Sequence, residues 1–366
     1  MENLTNNTIP LLLPYEIGDL KLKNRMVMAP MTRSRSFNSG IPHHLASLYY
    51  SQRANAGLII TEGVQVSPEG IGYLWTPGNY TKEQQIEWRK IVESVHQKDG
   101  IIFQQLWHTG RIAHSSLRPN KQLPKAPSPI RANGKIYTNN GWAEFETPLE
   151  MSKEDIKNTI QQFKEAAKNA KQVGFDGVDI HGAFGYLIDQ FICDGTNQRQ
   201  DEYGISAKNR IRFALEVIEA ILEVWDSLRV GIKLSPVNLV NDMSDSNPKD
   251  TYSVLLEELN KYNLAYVMLM EPQKDVHHLK NYPIEVLKYF RPYYKGNLIA
   301  NANMNKEKGN DLIQSGLAQL VSFGELFISN PDLPKRFELD ATLNPANRKT
   351  FYGGTEVGYT DYPFLD

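Results

Sequence analysis

Eight short, almost unbroken apolar runs, most followed by a Lys/Glu-rich amphipathic stretch, set the limits on what this chain can fold into. They are Met26–Met31, Leu58–Thr61, Ile101–Leu106, Gly177–Ile180, Val230–Leu234, Ala265–Met270, Leu298–Ala300 and Leu320–Phe323. A run without polar alternation is buried on both faces, the condition of parallel strands covered by helices. Helices are expected over Gln85–Lys98, Asn209–Trp225, Asp250–Tyr262 and Lys306–Ser315, the last ended by Gly316. A further one, Lys153–Val173, follows a Ser152-x-x-Asp155 capping pattern and places Ile156, Ile160, Phe163, Ala167 and Ala170 on one side. This rhythm reads as an α/β chain forming a (β/α)₈ TIM barrel, with a doubly wound open sheet as the alternative. Its 366 residues suit one barrel with insertions, so 1–366 reads as a single domain. Residues 111–148, rich in Pro, Gly and Asn, read as a long excursion after the third strand that caps the active face.

A net charge of −2 gives no reason to expect a nucleic acid or a membrane surface as partner. There is no apolar run of about 18 residues, the length a spanning helix needs. The single cysteine, Cys193, has no internal disulfide partner, and a reducing, cytoplasmic location is expected. The first residues carry no basic group before their short apolar run and make a poor secretory signal, so the sequons at Asn3, Asn6 and Asn79 are expected to be idle.

In a barrel of this kind, chemistry gathers at the C-terminal ends of the strands. The residues there are Thr32, Glu62, Gln105 with Trp107, His181, Lys233, Glu271, Asn301 and Gly324. They form no metal signature, nucleophile elbow or phosphate loop, and the His43–His44 and His277–His278 pairs read as solvated. What they offer is amide, hydroxyl, imidazole and ammonium groups, suited to holding a planar heterocycle and polarising a carbonyl. Taken singly, His181 reads as a satisfied core histidine and Tyr186 as packing, while Gln105 and Trp107 say little.

Seven segments, in order and spanning nearly the whole chain, resemble the old yellow enzyme family. They are MAPMTRSRS from Met28, QRANAGLIITEGVQVSPEG from Gln52, QLWHTGRIAHSS from Gln105, HGAFGYLIDQF from His181, TNQRQDEYG from Thr196, FGELFISNPDL from Phe323 and FYGGTEVGYTDYPFL from Phe351. The resemblance implies an FMN-dependent reductase of activated alkenes using NADPH or NADH. Its partners would be a small electrophilic substrate and a nicotinamide, with the chain a monomer or homodimer. It implies that Pro30, Met31 and Thr32 lie under and beside the flavin ring, that Ala56 offers it a backbone N–H, and that Gln105 binds its pyrimidine part. Trp107 and Tyr352 would line the substrate pocket, His181 would hold the substrate oxygen, and Tyr186 would give a proton to carbon.

Four positions depart from the family pattern. Phe184 stands where a second oxygen donor is usual, and it has none to give; by analogy with other oxyanion sites the loss is worth about 2.7–4 kcal/mol. Lys233 replaces an arginine beside the ring, keeping the charge without the planar fork. Glu325 replaces the arginine that holds the FMN phosphate, where a carboxylate about 5 Å away repels it by roughly 3 kcal/mol per unit charge. Ala302 replaces a glycine beside the phosphate, with Asn303 and Gly324 as remaining neighbours. Three readings stay open: Glu325 turns outward and backbone amides hold the phosphate; Lys306 or Lys308 supplies the charge; or the chain is a divergent isomerase, biosynthetic reductase or non-redox binding protein.

Overall fold

The computed structural model describes residues 8–365, so the sequons at Asn3 and Asn6 lie outside it. Eight parallel strands close a barrel: β1 (Met26–Met28), β2 (Leu58–Gln65), β3 (Ile102–Trp107), β4 (Gly177–Gly182), β5 (Val230–Leu234), β6 (Tyr266–Met270), β7 (Leu298–Asn301) and β8 (Leu320–Phe323). Each pairs with its neighbours in sequence, and β8 pairs back onto β1. The open-sheet alternative is thereby excluded.

Period-two alternation sorts the side chains between two layers. Val27, Leu58, Ile60, Phe103, Tyr266, Met268, Ile299 and Leu320 meet in one cluster inside the barrel. Met26, Met28, Ile59, Ile102, Val178 and Val267 join the larger cluster shared with the surrounding helices. An antiparallel hairpin, Tyr15–Ile17 with Leu20–Leu22, adds Ile17, Leu20 and Leu22 to the inner cluster. It is tied to the residues just before β7 and β5 by Tyr15 to Asn297 (2.6 Å) and Arg229 to Asp19 (2.8 Å). The hairpin closes the N-terminal end of the barrel, leaving the other end for a site.

Helices α1 (Leu45–Ser51), α2 (Lys82–His96) and α3 (Lys153–Val173) follow the first three strands. Helix α2 begins three residues before the expected start because Thr81 and Gln84 form a capping box. Helix α3 has the expected bounds, with the Ser152–Asp155 box at one end and left-handed Gly174 at the other. After β4 come α4 (Leu187–Ile192), α5 (Ala207–Arg210) and α6 (Arg212–Leu222); the single expected helix over Asn209–Trp225 is interrupted at Ile211. The circuit ends with α7 (Pro248–Leu259), α8 (Val286–Phe290), α9 (Lys306–Gln314), α10 (Glu325–Ser329) and α11 (Leu333–Glu338). None of the described helices is long and apolar enough to cross a membrane.

Two features build up the C-terminal rim. Residues 111–148 carry the hairpin Lys135–Thr138/Gly141–Glu144 and a short strand, Lys125–Ala126, that pairs with Leu149–Glu150. Arg111 anchors the segment, donating to the carbonyls of Ile130, Asn241 and Asp242 and so joining it to the loop after β5. The C-terminal tail is held by Arg35, whose guanidinium donates to the carbonyls of Thr350, Phe351, Thr355 and Val357. That anchor delivers Tyr352 to the rim.

Candidate active site

A polar layer crosses the barrel below its mouth. Gln105 on β3 is in register with Asp179 on β4, and its Nε2 donates to Asp179 Oδ2 at 2.8 Å. Tyr266 on β6 donates to the other oxygen at 2.9 Å. Tyr266 passes over β5 because residue 231 is glycine; a Cβ there would stand 2.2 Å from the phenol ring. Burial is the main cause raising Asp179 to about 6, against the lowering effect of Gln105, Tyr266 and Lys233.

Lys233, in register between His181 on β4 and Met268 on β6, is 3% exposed. Its ammonium forms no hydrogen bond or ion pair with the described residues; its neighbour is the Phe184 ring, 4.8 Å away. Burial lowers its pKa to about 8, with Asp179 pulling the other way. A buried cation without a hydrogen-bonding partner is unstable unless an anion joins it.

At the end of β4, His181, Phe184 and Tyr186 share one tight turn. Phe184 has φ +59° and Gly185 φ +74°. The left-handed conformation is uncommon for a bulky residue, and the turn is held by three contacts. Phe184 N–H donates to Ser235 Oγ at 2.9 Å, Gly185 N–H to Asp189 Oδ2 at 2.8 Å, and Asn241 Nδ2 to the Phe184 carbonyl at 2.8 Å. The His181 and Tyr186 rings stand 4.9 Å apart and nearly perpendicular. Trp107 packs edge-on against Tyr186 at 5.0 Å and lies nearly parallel to His181 at 6.2 Å.

Burial, then Lys233, holds the His181 pKa well below the usual 6.5, so the ring is neutral at neutral pH. Burial, then Tyr73, pushes the Tyr186 phenol well above 10, so it keeps its proton. His181 Nδ1 and Trp107 Nε1 are buried with no hydrogen-bond partner among the described residues. Unpaired buried polar atoms of this kind call for a ligand or water.

Most of the expected positions converge. Pro30, Met31 and Thr32 leave the end of β1, all partly buried. Met31 Sδ lies 3.3 Å from where a Cβ on Gly324, at the end of β8, would stand. Ala302 (φ +71°) and Asn303 (φ +54°) follow β7 as two successive left-handed residues. The backbone N–H groups of Ala302, Asn303 and Gly324 have no acceptor among the described residues. Asn303 spends its side-chain amide on the Pro272 carbonyl, at 3.0 Å.

Glu325 turns away to pair with Arg348, at 2.9 and 3.1 Å, and Lys306 pairs with Asp340. The outward reading of Glu325 is thus the observed one, and Lys306 already has a counter-ion. Tyr352 stands at the rim, 68% exposed.

Ala56 is a correction. It precedes β2, at the opposite end of the barrel from the mouth, and its N–H donates to the Arg53 carbonyl at 3.0 Å. The β2 residue that reaches the mouth is Gly63, at an irregularity in the β2–β3 register, where a Cβ would meet the Trp107 ring at 2.6 Å. Asp179 and Tyr73 were also missed. The polar residue inside the otherwise apolar run of β4 was a signal for Asp179, whereas Tyr73 lies in a loop with no periodicity to mark it.

These residues fit FMN as the group implied by the resemblance. Gln105, whose Oε1 has no partner among the described residues, and the Lys233 ammonium suit the polar edge of the ring, and the free amides beside Ala302 and Gly324 suit a phosphate. No group of three or more His, Cys, Asp or Glu side chains among the described residues is placed to hold a metal ion.

Comparison with known proteins agrees in kind. Residues 10–344 match the model of the NADH:flavin oxidoreductase / NADH oxidase family. Putative 12-oxophytodienoate reductase 11 of Oryza sativa subsp. japonica is 44% identical, over 98% of this chain and 99% of that protein. 12-oxophytodienoate reductase 2 of Arabidopsis thaliana is also 44% identical, over 98% of this chain and 96% of that one. Among solved structures, morphinone reductase superposes with a TM-score of 0.93 at 42% identity, covering 98% of this chain and 97% of that one. The old yellow enzyme homologue from Zymomonas mobilis gives 0.93 at 37%, covering 97% and 99%.

Proposed function

The chain belongs to the NADH:flavin oxidoreductase / NADH oxidase family and is a flavin oxidoreductase of the old yellow enzyme kind; on that premise we propose that it reduces activated C=C bonds of α,β-unsaturated carbonyl or nitro compounds with electrons from NADPH or NADH. FMN, when bound, would supply the two-electron redox chemistry that side chains lack. Gln105, Thr32 and Lys233 would hold and polarise its ring, and the amides of Ala302, Asn303 and Gly324 would take its phosphate.

The observation that carries this reading is the neutral imidazole and neutral phenol set 4.9 Å apart at the end of β4. His181 donates to the substrate oxygen, where charge grows as hydride reaches the β-carbon, and so favours the transition state over the ground state. Tyr186 gives its proton to the α-carbon, which is far more basic than a phenolate. Trp107 and Tyr352 line the substrate's approach. Phe184 supplies an apolar wall instead of a second donor, which favours substrates bound mainly by apolar contact. The names of the relatives, 12-oxophytodienoate reductase and morphinone reductase, both denote ketones, in line with a carbonyl-bearing substrate.

The test is NAD(P)H oxidation driven by 2-cyclohexenone, with the saturated ketone identified as product and Tyr186→Phe slowing its formation. Absence of enone-dependent oxidation with either nicotinamide, in protein reconstituted with FMN, refutes the proposal. It leaves the second reading, a non-redox binding protein, which the Phe184 ring over Lys233 favours.

A further inference from the structure

The Tyr186 hydroxyl does not stand alone at the mouth. It lies 3.3 Å from the hydroxyl of Tyr73, in the loop between β2 and α2. The Tyr73 ring stacks on Trp107 at 5.7 Å and 15°, and meets Tyr186 edge-on at 6.3 Å. Its backbone is fixed from both sides. A Cβ at Gly72 would stand 2.3 Å from the Ile112 carbonyl, so only glycine lets the loop sit this close to the excursion. Thr76 Oγ1 donates to the Tyr73 carbonyl at 3.0 Å and accepts from Gln65. The Asn241 side chain lies beside both hydroxyls, and Tyr73, itself partly exposed, opens the pair to solvent. Two hydroxyls thus run from the rim to the end of β4.

We propose that Tyr73 is a proton relay that resupplies Tyr186 from solvent. The proposal rests on the reading of Tyr186 as proton donor. As substrate is protonated, the Tyr186 O–H bond breaks, its proton forms the C–H bond, and a phenolate remains. The Tyr73 O–H bond then breaks and its proton restores Tyr186. Water at the rim restores Tyr73 in turn. No electrons beyond those of the hydride are involved. The first step leaves a phenolate in a partly buried, largely aromatic setting, where lost solvation disfavours the charge, so a proton source within hydrogen-bond distance shortens its life.

Tyr73→Phe deletes one oxygen and keeps the stack on Trp107. In FMN-loaded enzyme followed anaerobically by stopped flow, reoxidation by 2-cyclohexenone is expected to slow on the order of tenfold, less than the ~10²–10⁴ lost with a positioned acid itself. Its solvent deuterium isotope effect is expected to rise. Reduction by NADPH, and reoxidation by ferricyanide, which protonates no carbon, are expected to keep wild-type rates. In the apoprotein, the Tyr186 Cζ resonance of ¹³C-labelled tyrosine is expected to move when its hydroxyl neighbour is removed. An unmoved resonance, or a wild-type rate and isotope effect with the enone, overturns the relay. Equal slowing with NADPH, ferricyanide and enone also overturns it, in favour of packing alone. If Tyr186→Phe itself leaves enone reoxidation unchanged, the donor reading fails first.

Discussion

Replacing Lys233 with methionine removes a buried charge while keeping most of the side-chain volume. In the folded chain burial brings the pKa from an ordinary 10.5 to about 8. At about 1.4 kcal/mol for each tenfold change in proton affinity, holding that charge inside opposes folding by about 3 kcal/mol. Below pH 8 the lysine is charged in both states and the full penalty is present. Between pH 8 and 10.5 the unfolded chain holds a proton that the folded chain has lost, so stability rises with pH across that window. Lys233→Met should therefore stabilise the apoprotein at pH 7 and flatten the rise between pH 8 and 10.5. The attraction of Asp179, which keeps its bonds from Gln105 and Tyr266, is already contained in that net shift, so the expected gain stays at about 3 kcal/mol. The flavin-loaded protein should respond in the opposite sense. With FMN bound, a unit positive charge at a contact distance of about 4 Å from an anionic reduced ring would be worth about 4 kcal/mol at an effective dielectric of ~20, or roughly 90 mV for a two-electron couple. Urea denaturation of the apoprotein at two pH values and a midpoint potential of the loaded protein measure both. A destabilised apoprotein together with an unchanged potential would refute the reasoning.

Other perturbations follow from the same geometry. Phe184→Asn puts a residue tolerant of φ +59° at the turn and restores a donor beside His181, so kcat for small enones should rise on the order of tenfold; an unchanged kcat would show that the substrate oxygen lies elsewhere. Ala302→Gly relieves a left-handed alanine, and the gain of about 1 kcal/mol should appear as a higher Tm. Arg348→Ala frees the Glu325 carboxylate beside the phosphate cradle; at about 7 Å in water-like dielectric the repulsion is about 0.6 kcal/mol per unit charge, so the Kd for FMN should rise roughly threefold to tenfold and return with Glu325→Ala. Burial raises Glu62 to about 7 and Asp179 and Asp189 to about 6, so between about pH 4 and 7 the folded chain binds more protons than the unfolded one. These groups make apoprotein stability fall as pH rises through that window, and denaturant midpoints should show a shallower fall in Asp189→Asn.

The barrel was legible because strands buried on both faces need no partner's identity to declare themselves: Val230–Leu234 and Leu320–Phe323 were read to the residue. Strand β2 runs on to Gln65 because Glu62 and Gln65 are buried polar residues with partners, Arg33 N–H and Thr76, that no local pattern announces. The closing hairpin escaped for a related reason, since its three-residue strands are too short for periodicity to mark. At the site, the family motifs located His181, Tyr186 and Gln105, but they gave no direction to side chains whose partners are distant. Glu325 looked hostile to phosphate until Arg348, 23 residues away, was seen to hold it. Ala56 was assigned to the mouth because motif order does not say which end of a strand a residue occupies. Tyr73 depends on a close approach between Gly72 and Ile112, a contact between two loops with no sequence signature.

The most direct test is an equilibrium titration of the apoprotein with FMN, read by quenching of flavin fluorescence. The account predicts saturable binding of one flavin per chain, weakened in Gln105→Leu. No saturable binding, or binding equally tight in that variant, would contradict the claim that the C-terminal mouth of this barrel is a flavin site.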